Sequence, residues 1–143
     1  MRALLDVNVL IALLDAAHIH HRIAHAWLDR AIDQGWASCP ITQNGCIRIM
    51  SQPGYPGALR VHDVAARLGE AAAGPAHAFW PDDIEPLAGD MLRWDRILGH
   101  RQVTDAYLLA LAVRHEGCFV TFDQRIGIAA VRGAGTRHLV TLA

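Results

Sequence analysis

Short apolar runs alternate with helical patterns along the whole of this chain, and that rhythm restricts its fold more than any other feature. Two of the runs end on an acid: Ala3-Leu4-Leu5 leads into Asp6, and Cys118-Phe119-Val120-Thr121-Phe122 leads into Asp123. Trp36 to Cys39, His77 to Trp80 and Arg137 to Leu142 read as further strands. Between them, helical periodicity runs from Val9 to about Asp15, from His20 to Gln34, onward from Pro40, and from Val61 to Ala73. A last helix is expected from Asp105 to His115, with Thr104 as its N-cap and Gly117 as its stop. Short strands separated by helices imply an α/β layer fold whose short, mainly parallel sheet is flanked by helices. At 143 residues the chain makes one domain, residues 1–143, large enough to bury a core without staples.

The charges narrow the chemistry. Thirteen basic residues stand against fourteen acidic ones, for a formal charge of −1, so nucleic-acid contact must come from a local patch. All the basic residues are Arg. The absence of Lys removes a P-loop phosphate cradle and Schiff-base chemistry. Cys39, Cys46 and Cys118 lack a C-x-x-C spacing and read as buried thiols. The apolar start from Ala3 to Leu14 is interrupted by Asp6 and Asn8, and the longest apolar run is too short to span a membrane. These features lead to the expectation of a soluble, cytoplasmic protein.

Ligands of an open parallel sheet bind outside the carboxyl ends of the strands. Asp6 and Asp123 each follow a strand, and Asp105 opens the helix that leads into the second of them. Taken singly, each has a structural role open to it as a helix cap, a helix-dipole partner or a turn former. Three carboxylates converging on one edge would repel one another unless a divalent cation held them. Mg²⁺ suits such a site, because it takes a few carboxylates, keeps waters and coordinates phosphate. The matching chemistry is metal-assisted phosphodiester hydrolysis.

The residues around these acids resemble a known family. Leu4-Leu5-Asp6-Val7-Asn8-Val9-Leu10-Ile11 is similar to the opening motif of PIN-domain ribonucleases. Val103-Thr104-Asp105-Ala106-Tyr107-Leu108 and Val120-Thr121-Phe122-Asp123 resemble their C-terminal acidic motifs, and Trp36 to Ile49 is similar to the middle motif of VapC toxins. The resemblance implies a PIN-like three-layer fold and a metal-dependent endoribonuclease, the toxin of a toxin–antitoxin module. Its implied cofactor is Mg²⁺, with Mn²⁺ able to substitute. Its implied partners are RNA, a cognate VapB-type antitoxin and a second copy of the chain. Asp6 and Asp105 match the family's principal metal ligands, Asp123 its further acid, and Asn8 and Thr121 its orienting polar positions.

Gln43 stands where the family usually places a Glu. Without that charge, either a single metal ion or a second one bound only with the help of substrate is expected, and Gln43 is expected to help position water. The same substitution leaves open a PIN-like module that binds RNA or protein without cutting. A haloacid-dehalogenase-like phosphotransferase is disfavoured, since that chemistry wants a second Asp where Asn8 stands and commonly a Lys. Asp82 and Asp83 follow Pro81 in what reads as a loop and are poor substitutes for the missing acid.

Arg48, Arg101 and Arg125 are the basic residues closest in sequence to the acid motifs, and at least one is expected on the RNA path. The alternative for each is a solvated Arg or the partner of a local Asp. His21 and His25, four residues apart among His18 to His25, lack a further zinc ligand and read as a solvated helix flank. Leu10, Leu13, Leu14, Ile23 and Trp27 form either a groove for a partner helix or ordinary core.

Overall fold

The computed structural model describes residues 1–143. Strands β1 (Ala3–Leu5), β2 (Trp36–Ser38), β3 (His77–Phe79), β4 (Cys118–Thr121) and β5 (Leu139–Thr141) form one sheet in the order β3-β2-β1-β4-β5. Every pairing in it is parallel. Helices α1 (Val7–Leu14), α2 (His21–Ala31), α3 (Pro40–Met50), α4 (Val61–Ala72) and α5 (Val103–Arg114) complete the fold. No helix is long and apolar enough to cross a membrane.

A parallel sheet needs cover on both faces, and the pleat sorts its residues accordingly. Leu4, Ala37 and Phe119 pack with Leu108, Leu109 and Leu111 of α5. Their strand neighbours Ala3, Leu5, Cys118 and Val120 pack on the opposite face with Val9 and Leu10 of α1, Cys46 and Met50 of α3, and Val64 and Leu68 of α4. The result is the α/β layering the rhythm predicts, in the three layers the family resemblance implies. All three cysteines are buried and unpaired.

Helix boundaries depart from the sequence reading for identifiable reasons. Helix α1 starts earlier than its apolar pattern suggests, because Asp6 caps it, accepting the Val7 N–H at 2.7 Å. Helix α5 starts at Val103, so Thr104 lies inside its first turn and does not cap it. A 3₁₀ turn over His100–Gln102 runs directly into α5 and supplies its entry in place of a side-chain cap. Gly117 is not the left-handed stop of α5; Glu116 adopts that conformation, at φ 58°. A Cβ on Gly117 would collide with the Arg2 carbonyl oxygen and come within 2.7 Å of the Trp80 ring, so close approach explains the glycine.

His21 and His25 are tied to α1 and are not simply a solvated flank. Their ring nitrogens meet the carbonyl oxygens of Ala12 and Leu13 at 2.7 and 3.1 Å, satisfying the last turn of that helix. Asp83 pairs with Arg114 and His115 at the C-terminal end of α5, a helix length away from Asp105.

Candidate active site

Parallel pairing of β1 with β4, with Leu5 opposite Val120, delivers the residues that follow both strands to one edge of the sheet. The Asp6 N–H extends this ladder, donating to the Val120 carbonyl at 2.9 Å. Helix α5 begins at the same edge. Asp6, Asp105 and Asp123 all line one cleft of about 410 Å³, whose walls also include Asn8, His18 and Tyr55.

Thr121 joins two of these acids. Its hydroxyl donates to Asp6 Oδ2 at 2.6 Å, while its oxygen accepts the Asp123 N–H at 3.0 Å. Asn8 Oδ1 accepts the Phe122 N–H at 3.4 Å and so ties the first turn of α1 to the loop after β4. Both residues therefore hold the frame in which the acids sit.

The three carboxyls differ in environment. Burial raises the pKa of Asp6; the Thr121 hydroxyl and the Val7 N–H oppose that shift, and the charge of Asp123 adds to it. Asp105 is pushed up to about 7, first by burial and then by the charges of Asp6 and Asp123, with Arg125 partly offsetting them. None of the hydrogen bonds that steady Asp6 is matched at Asp105. Asp123 moves the other way: the Arg125 side chain and backbone N–H both favour its charged form. Arg125 grips it with Nε on Oδ1 and Nη2 on Oδ2, each at 3.1 Å.

Arg125 is thus the partner of a local Asp and stands beside the acids. Arg48 and Arg101 are both exposed and do not line the cleft; Ile49, the neighbour of Arg48, does. Gln43 is also absent from the lining. Its amide donates to Ser38 Oγ at 3.0 Å, and that hydroxyl meets His77 Nε2 at 2.7 Å. The fully buried Ser38 hydroxyl offers a neutral amide a partner that water cannot replace, which draws Gln43 to the end of β2.

No three His, Cys, Asp or Glu side chains stand within ligating reach of a single point. Asp123 is held in its ion pair with Arg125. His18 and Tyr55 were missed as cleft residues by sequence reasoning. The His cluster was visible, but no spacing rule connects His18 to Asp6, and Tyr55 lies in a segment legible only as a Pro- and Gly-rich loop.

The PIN domain family profile matches residues 3–132. Ribonuclease VapC44 of Mycobacterium tuberculosis is 51% identical over 142 residues, covering 99% of this chain and 100% of its own. Ribonuclease VapC39 of the same species is 41% identical over 134 residues, covering 93% and 96%. A crystal structure of VapBC2 from Rickettsia felis, bound to a DNA fragment from their promoter, aligns over 100% of both chains with a TM-score of 0.68 at 12% identity, a likeness of fold alone. By its profile, by its full-length relatives and by the layering of its sheet, the chain belongs to the PIN-domain family, alongside the VapC ribonucleases.

Proposed function

We propose that this chain is a Mg²⁺-dependent endoribonuclease that hydrolyses RNA phosphodiester bonds as the toxin of a type II toxin–antitoxin module. The observation that carries the reading is the convergence of Asp6, Asp105 and Asp123 on one cleft, with Asp105 held half-buried beside two like charges. The full-length relatives named as ribonucleases support the substrate class.

The donor set fits a hard divalent cation. It consists of carboxylate oxygens, and Asp105 has two like-charged neighbours that a cation would neutralise. Asp6, Asp105 and Asp123 are the residues that would hold it, and Mn²⁺ shares its preference for oxygen ligands. When bound, the ion supplies an activated water and charge neutralisation at the phosphoryl group. The chain's own part is orientation. Thr121 fixes Asp6 and Asp123 relative to each other, and Asn8 ties α1 to the β4 loop. Arg125, with 58% of its side chain exposed and its Nε and Nη2 on Asp123, leaves the Nη1 side of its guanidinium for an entering phosphate.

A VapB-type antitoxin and a second copy of the chain belong to the same proposal. An apolar groove of about 270 Å³, lined by Leu10, Leu13, Leu14, Leu28 and Trp36 among others, suits the apolar face of a partner helix. Ile23 and Trp27 pack with the core on the α1 side and do not line that groove.

Incubation of antitoxin-free protein with total RNA in Mg²⁺, in Mn²⁺ and with chelator tests the activity. Metal-dependent cleavage is expected, with a loss of at least about 100-fold in Asp105→Asn, the scale of removing one charge-stabilising group. Folded protein that cuts nothing under any metal would overturn the nuclease and leave a binding module.

A further inference from the structure

Three acids make a cleft that repels RNA, so the donors in its walls matter. Among the lining side chains, Tyr55 has committed its hydroxyl to Asp15 Oδ2 at 2.5 Å. Asn8 Nδ2 and His18 Nε2 have no protein partner. His18 lies on the turn between α1 and α2, and that turn is fastened at several points. Asp15 Oδ1 accepts the Ala17 N–H at 3.0 Å, and the Asp15 carbonyl accepts the His18 N–H at 3.0 Å. His20 stacks on Phe122, the residue before Asp123, with ring centroids 4.6 Å apart.

The tautomer of His18 follows from one hydrogen bond. Its Nδ1 accepts the His20 N–H at 3.0 Å, so this nitrogen carries no proton and the neutral ring places its N–H on Nε2. The imidazole therefore presents its Nε2–H as a fixed donor in the wall of the acid cleft.

Building on the nuclease reading, we propose that His18 is a substrate-binding residue whose Nε2–H donates to a non-bridging oxygen of the RNA phosphate held at the acids.

Two substitutions separate this role from a purely structural one. In His18→Asn, the amide oxygen can replace Nδ1 as acceptor for the His20 N–H, but the Nε2 donor is lost. In His18→Gln, the longer amide restores a donor near the Nε2 position. The probes are a mixed-sequence single-stranded 2′-O-methyl RNA, followed by fluorescence anisotropy in Mg²⁺, and total RNA for cleavage. His18→Asn should keep the wild-type melting temperature yet bind about 10-fold or more weakly, as expected for a lost hydrogen bond to a charged group. His18→Gln should recover most of that loss. If His18→Asn binds and cuts like the wild type, or His18→Gln recovers nothing, His18 is not the donor and the nuclease reading stands. If the wild type neither binds the probe nor cuts RNA, both readings fall.

Discussion

Asp105 is where environment most changes a residue's chemistry. Its pKa of about 7 in the folded chain compares with an ordinary value of 3.8, so the folded state holds this proton more tightly than the unfolded state does. The linkage sign follows: the resulting stability is present below about pH 4, declines as pH rises towards 7 and is gone above it. Asp105→Asn removes the ionisation. The metal-free variant should therefore melt above the wild type at pH 8 by about 2–6 °C and show little advantage at pH 4, as read by calorimetry. Mg²⁺ should raise the wild-type melting temperature at pH 8 and leave the variant nearly unmoved; equal shifts in both would place the ion elsewhere. Arg125 invites a second measurement. It occupies Asp123 as a cation would, so Arg125→Ala should bind Mn²⁺ a few-fold more tightly by titration calorimetry, with one site per chain. Unchanged or weaker binding would show that the ion pair does not compete with the metal. The sequence made the acids legible because each follows or opens an element. It left the pairing of Arg125 with a local Asp open, since whether a neighbouring guanidinium folds back depends on side-chain geometry.

At the scale of elements, the strands were readable because each is a brief apolar run bounded by a turn former or a polar residue. Helix α1 was placed late because Asp6 serves as both cap and cleft residue, and the apolar pattern reports neither role. Gly117 shows what a sequence hides: its position after a helix suggests a conformational stop, while its cause is the Arg2 carbonyl and the Trp80 ring packed against it. Gly117→Ala should accordingly cost about 2–3 kcal/mol in urea unfolding, in the range of overpacking a tight site. A loss below about 0.5 kcal/mol would mean that the junction of α5 and β4 yields easily. Gln43 escaped prediction for a related reason. Its direction is decided by Ser38 and His77, which lie in other elements.

Across the whole molecule, the cleft follows from sheet topology. Strands β1 and β4 are far apart in sequence yet adjacent and in register at the centre of the sheet. That adjacency brings Asp6 to Thr121 and places Asp123 beyond them. The α/β class was legible from alternation alone, whereas the strand order that makes neighbours of β1 and β4 was not. Periodicity specifies which face a residue takes, not which strand lies beside it. Asp105 stands slightly apart from this framework, with no protein group relying on its carboxylate for a hydrogen bond. Its substitution should therefore disarm the chain and leave the apolar groove between α1 and α4 in its native shape. On the toxin reading proposed above, that independence makes the variant a disarmed form with its fold intact. Asp105→Asn could be produced in quantity and used as bait for a protein whose helix fits that groove.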